Sequence, residues 1–148
     1  MGSSERQIEN LIYKYAERLD DGDIEGMAEL LKDAEIAGDD GQAQLLGAKA
    51  LSELYRSMVI LHDNGTPMTH HVTSNVIIDV DERADLAKSR AYFTVFQATE
   101  QLALQPIVLG RYHDEFARAG DKWHFTKRRM LMRSVGNAQH HLTSNDAS

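Results

Sequence analysis

Cysteine is missing from all 148 residues. Its absence removes disulfide frameworks, thiolate nucleophiles and cysteine-based metal sites from consideration, and it suits a reducing compartment. Long apolar runs are missing too, since none approaches the ~20 residues needed to span a bilayer. The opening residues, Met1-Gly2-Ser3-Ser4-Glu5-Arg6, lack the basic-then-apolar order of a secretion signal. The expected address is the cytoplasm, with no membrane partner. Positive charge is in short supply: 16 basic residues face 23 acidic ones, for a net charge of −7. A surface of that sign repels phosphate backbones, so no nucleic-acid partner is expected. One basic run, Lys127-Arg128-Arg129 with Arg133, alternates between faces if it lies in a strand. It reads as a solvated sheet edge or as an internal ion-pair partner. There is no nucleophile elbow, phosphate loop or dinucleotide fingerprint.

What is present points to one domain covering residues 1–148, with flexible ends at 1–3 and 143–148. A chain of this length buries roughly 70% of its unfolded surface, enough for a core without staples. Ser4 followed by Gln7 reads as a capping box. Ile8, Leu11, Ile12, Tyr15, Ala16 and Leu19 then recur at three- and four-residue steps, the apolar stripe of a helix. Asp20-Asp21-Gly22-Asp23 ends it, and Asp23 can cap a short second helix carrying Ile24, Met27, Leu30 and Leu31. Residues 34–38 form a short extended piece, followed by a turn at Asp39-Asp40-Gly41. Helical spacing returns over 46–61, and breakers follow at Asp63-Asn64-Gly65-Thr66-Pro67. The second half changes period to four long strands over 69–80, 89–99, 107–118 and 123–133. Helices first and a strand meander after indicate α+β architecture. Strands of this length must coil strongly to enclose a core.

Two residues stand out chemically. Asp20 sits at the edge of the apolar stripe, where a carboxylate is partly buried; Asp21 and Asp23 read as a helix end and an N-cap. In the first long strand, alternation puts Thr69, His71, Thr73, Asn75 and Ile77 on one face, as the polar wall of a cavity or an exposed column. His70 then points the other way. A neutral imidazole can abstract a proton, and a nearby carboxylate fixes its tautomer. Proton-transfer chemistry of this kind (dehydration, isomerisation, elimination, cyclisation) needs no cofactor. Tyr15, Tyr55, Met58 and Phe93, with Asn75, are the expected pocket lining; such residues equally well form plain core. No metal site is expected: none of the seven histidines is in a His-Glu-x-x-His pattern, though His113 and His124 lie on consecutive predicted strands and could face each other.

The order of these features resembles the SnoaL-like branch of the nuclear transport factor 2-like superfamily over residues 4–142. It comprises the amphipathic helix ending in Leu19-Asp20, the His71-x-x-x-Asn75 strand, and the hairpin from Gly110-Arg111-Tyr112-His113 through Gly120-Asp121-Lys122-Trp123-His124 into Lys127-Arg128-Arg129. The resemblance implies a cone-shaped α+β barrel, with three N-terminal helices on a strongly curved, mainly antiparallel sheet and a pocket in its open end. It implies that Asp20 orients His71 as base, as in the family's dehydratases and dehydrochlorinase, with Tyr15 as a pocket tyrosine and His113 as second histidine. The family also holds cyclases, isomerases, binding modules and dioxygenase β-subunits, so two readings stay open. One is a lyase or isomerase acting on a small apolar cyclic molecule. The other is a binding or assembly module or ligand carrier. A homodimer is expected through an outer sheet face drawn from Tyr92, Phe96, Val108, Tyr112, Phe116, Met130 and Met132.

Overall fold

A computed structural model describes residues 2–144. The chain opens with α1 (Ser4–Asp20), capped not by Ser4 but by Ser3, whose hydroxyl accepts the Arg6 N–H at 3.2 Å. Gln7 reaches back to the Gly2 carbonyl instead of the cap N–H. Ile8, Ile12, Tyr15, Ala16 and Leu19 form the buried face of α1, as the stripe requires. Asp23 caps α2 (Ile24–Leu30), accepting the Gly26 N–H at 2.9 Å. A small hairpin follows, β1 (Glu35–Ala37) and β2 (Ala43–Leu45), and then α3 (Gly47–Met58). The long strands are β3 (Thr69–Asp81), β4 (Leu86–Gln97), β5 (Gln105–Ala119) and β6 (Lys122–Val135).

These strands form one six-stranded sheet in the order β2-β1-β6-β5-β4-β3. Only the β1–β6 pair is parallel; the others are antiparallel. Bulges interrupt β3–β4, β4–β5 and β5–β6. Each bulge bends its strand and raises local twist, which curls the sheet around the helices without closing it. No helix among the described residues is long and apolar enough to cross a membrane.

The β3 bulge corrects the simple alternation. Ser74 pairs with Tyr92 and Ile77 with Arg90, so Asn75 and Val76 together oppose one residue. Asn75 takes φ 54°, a conformation Asn tolerates better than most residues. The inward parity flips there: Thr69, His71 and Thr73 precede the bulge, while Val76, Ile78 and Val80 pack on the core after it. Asn75 is left exposed and Ile77 is 46% exposed, both off the expected wall.

The outer-face grouping is corrected too. The row His71–Val95–Val108 runs straight across β3, β4 and β5, so Val108, Tyr112 and Phe116 share the concave side and are buried. Met130 also packs against the core. Tyr92 remains outside, joined by Leu109, whereas Met132 pairs with Gly110 and so shares the facing of Met130 and Tyr112.

Inside the cone lies a buried ion pair. Arg128 and Asp114 are cross-strand neighbours, joined by Nε–Oδ1 and Nη2–Oδ2 bonds of 2.9 Å each, with side chains 0% and 1% exposed. The guanidinium carbon stands 3.8 Å from the Tyr112 ring centre and 4.4 Å from that of Tyr15, so its remaining faces meet π-systems. Burial favours the neutral form of Arg128, but the charge and hydrogen bonds of Asp114 outweigh it and raise the pKa. Of the two readings of the basic run, the internal ion pair holds for Arg128. Removing one partner strands the other charge. Asp114→Ala should therefore lower unfolding free energy by about 3–5 kcal/mol, read by urea denaturation; a loss under about 1 kcal/mol would contradict this picture.

Candidate active site

The helix end and the strand start meet because the chain between them is pulled in tightly. Gly22 takes φ 78°, and a methyl group built there would overlap the Gly65 carbonyl oxygen. Glycine at this point lets the end of α1 sit on the loop that leads into β3. Asp20, the last residue of α1, then reaches Thr69 and His71, the first and third residues of β3.

The Asp20 carboxylate accepts three hydrogen bonds. Oδ1 takes the Thr69 hydroxyl at 2.8 Å and His71 Nδ1 at 2.5 Å, and Oδ2 takes the His71 backbone N–H at 2.7 Å. The His71 side chain is 5% exposed and that of Asp20 18%. Burial pushes the Asp20 pKa up, but the His71 ring, its charge, its backbone N–H and Thr69 together hold it below the ordinary value. An ionised carboxylate facing Nδ1 requires that nitrogen to carry the proton. Nε2 is left with its lone pair and has no protein partner among the described residues. This is the geometry of an oriented general base. The pair borders a groove of about 340 Å³ between α1 and β3, shared with Tyr13, Glu17 and Thr73.

Tyr15 and Tyr55, both buried, join hydroxyl to hydroxyl at 2.7 Å. Burial raises both phenol pKa values, so both stay neutral donors. Phe93 is buried and stacks on Tyr112 with ring centres 4.4 Å apart. Tyr15, Tyr55 and Phe93 therefore belong to the packed core on the concave side. Met58, at the end of α3, is 39% exposed. His113 is on the convex side, exposed, in a charged depression with Lys88, Arg90 and Glu115. It pairs with Arg129, and His124 pairs with Ala117, so the two histidines do not face each other and His113 cannot serve as second histidine.

A residue the sequence did not single out lies beside the pair instead. His141 is 5% exposed, and its ring centre lies 6.4 Å from that of His71 at 73° between planes. It rides on residues 137–143, which fold back across the open end. Ile60 N–H donates to the His141 carbonyl at 2.8 Å, Thr143 N–H to Met58 at 2.9 Å, and Gln97 Nε2 to the His140 carbonyl at 3.0 Å. Thr143 also bonds Ser57, so the expected fraying does not begin there; residues 145–148 lie outside the described residues. The available signal was the His140-His141-Leu142 triplet, with apolar Leu142 in an otherwise polar tail.

Residues 3–129 match the SnoaL-like domain, and the chain belongs to that family, within the nuclear transport factor 2-like superfamily. Solved structures of similar fold include a Mycobacterium tuberculosis protein of unknown function, Rv3472, at 23% identity and TM-score 0.68, covering 89% of this chain and 73% of that one. A candidate scytalone dehydratase from Novosphingobium aromaticivorans is similar at 23% identity and TM-score 0.67, covering 90% and 86%. So is the β-subunit of a candidate aromatic-ring-hydroxylating dioxygenase from the same organism, at 18% identity and TM-score 0.66, covering 88% and 89%. No curated protein matches the chain. Likenesses at these identities establish the fold.

The His141 environment has a measurable consequence. Burial, reinforced by the facing His71 and by His62 and only partly offset by Asp20, lowers its pKa from 6.5 to about 4. A depressed histidine pKa means the unfolded chain binds a proton that the folded chain refuses. This group leaves stability unaffected above pH 6.5 and erodes it as pH falls from 6.5 to about 4, by up to about 3 kcal/mol. His141→Asn should flatten that part of the urea-denaturation pH profile. Equal slopes in wild type and variant would contradict the assignment.

Proposed function

We propose that this SnoaL-like domain is a cofactor-independent lyase or isomerase that removes a proton from a small, mostly apolar cyclic molecule. The observation that carries the reading is the 2.5 Å contact from His71 Nδ1 to an ionised Asp20, which leaves Nε2 bare. In this reading Nε2 takes the proton, Asp20 holds the ring and stabilises the imidazolium, and the base contributes on the order of 10²–10⁴-fold in rate. Tyr15 donates a hydrogen bond to the substrate or its leaving group. In the Tyr15–Tyr55 contact one hydroxyl donates to the other, and Tyr55 also reaches Met130 Sδ at 4.0 Å, so Tyr15 keeps its proton for a ligand when Tyr55 donates to it. Phe93 and Tyr55 give the apolar wall. A cytoplasmic setting suits a chain without cysteine.

A second reading, an assembly module, is favoured by the convex side of the sheet. Tyr92 and Leu109 are each 43% exposed there, and one similar structure is a dioxygenase β-subunit. A second copy of the chain could cover the same face in a homodimer.

A β-hydroxyketone probe, 3-hydroxycyclohexanone, separates the readings. Under the enzyme reading wild type dehydrates it to cyclohexenone, and Asp20→Asn and His71→Ala each lower kcat at least about 100-fold with unchanged circular dichroism. Turnover that survives either substitution removes His71 as base.

A further inference from the structure

The convex side of the sheet carries charge that the fold does not use. Two neighbouring rows of side chains cross the strands there. One runs Asp79–Lys88–Glu115–Lys127–Glu35 and alternates in sign, so each lysine has an acid on either side. The other runs Arg90–His113–Arg129, with Ile77 and Ala37 at its ends, and contains no acid. The two rows bound a depression of about 480 Å³. In a chain of net charge −7, two guanidiniums on either side of one imidazole reverse the local sign. Like charges so placed destabilise a sheet unless something neutralises them.

Neither arginine is neutralised by the protein. No ion pair among the described residues involves Arg90 or Arg129, and the Arg90 side chain makes no hydrogen bond among them either. Arg129 is held, but by uncharged groups: Nε donates to the Gly38 carbonyl and Nη2 to the Asp39 carbonyl, each at 3.1 Å. The Asp39 carboxylate accepts the Met132 N–H instead. The Arg129 guanidinium is therefore fixed in place with its charge uncompensated. Neighbouring strands stand ~4.8 Å apart, so Arg90 and Arg129 flank His113 at a spacing that their long side chains can close over a single group.

We propose that Arg90, His113 and Arg129 bind one dianionic phosphate group, carried as the monoester of a small molecule. Each guanidinium fork can meet two oxygens of a tetrahedral oxyanion, and the imidazole between them supplies a further N–H. A carboxylate offers only two oxygens and one charge, which a single arginine already satisfies. The acids of the neighbouring row, Asp79 and Glu115, border the same depression and set an upper limit on charge. They repel a second phosphate, which disfavours polyphosphates and nucleic acid and leaves a neutral body for the rest of the ligand. The site does not depend on the reading of His71 as base, because His71 faces the concave side of the sheet and this row the convex one.

The test titrates the full chain with inorganic phosphate at constant ionic strength and neutral pH, followed by ¹H–¹⁵N NMR. Saturable shifts are expected at Arg90, His113 and Arg129, with half-saturation at about 1–10 mM. Arg90→Gln should weaken binding about tenfold or more; since Arg90 bonds nothing in the fold, this variant should keep its structure. As a second readout, phosphate should raise the Tm of the wild type and not that of Arg90→Gln. Phenyl phosphate should bind at least as tightly as inorganic phosphate, and acetate about tenfold more weakly. Shifts that grow linearly without saturating, or an Arg90→Gln titration that overlays the wild type, overturn the site. Acetate binding as tightly as phosphate overturns the choice of a dianion. Sedimentation of the chain with phosphatidic acid vesicles, without a response to phenyl phosphate, overturns the small-molecule source.

Discussion

The carboxylate of Asp20 is where the two halves of the chain are joined. Three hydrogen bonds run from β3 into one side chain at the end of α1, two of them from side chains and one from the backbone. The carboxylate therefore ends a helix and starts a strand at once. A buried anion with that many donors is stable as an anion, and its charge in turn dictates which nitrogen of His71 is protonated. Orientation of the His71 ring is thus a by-product of a contact that docks α1 on the sheet. Gly22 makes the contact sterically available, because only a residue without a side chain allows the chain to pass so close to Gly65.

The rest of the interior divides by polarity along the axis of the cone. Deep inside, Arg128 and Asp114 neutralise each other, with the guanidinium between the Tyr15 and Tyr112 rings and Phe125 5.1 Å away. Toward the open end the wall becomes Thr69, His71, Thr73, Gln97 and His141, with donors and acceptors left over. The tyrosine pair Tyr15–Tyr55 connects the zones: Tyr15 lies against Arg128 and is five residues before Asp20 on the same helix, about 7.5 Å along its axis.

Much of this was legible in the sequence because it depends on local periodicity. The α1 stripe, the Asp23 cap and the alternation of Ala91, Phe93 and Val95 against Tyr92 and Thr94 all follow from 3.6- and 2-residue repeats. Asp20 and His71 were readable as soon as the helix end and strand start were placed. What escaped depends on single non-repeating events. One bulge at Asn75 reverses the facing of every later residue in β3. Val108, Tyr112 and Phe116 were placed outside although Arg111, His113 and Glu115 alternate with them, and that charge alternation marks the even positions of β5 as inward. β2 is three exposed residues, Ala43-Gln44-Leu45, too few to show a period. His141 was hidden for a different reason: its strap is held by residues 57–60 and Gln97 and its ring meets His71, partners some forty to eighty positions away that a polar tail does not advertise.

The most direct measurement is ¹⁵N NMR of the His71 imidazole in the free protein at neutral pH. The Asp20 contact requires Nδ1 to be protonated and Nε2 to be bare, and Asp20→Asn should abolish that preference. Protonation on Nε2 in wild type, or a tautomer indifferent to Asp20→Asn, would contradict the central claim that this carboxylate prepares His71 to act as a base.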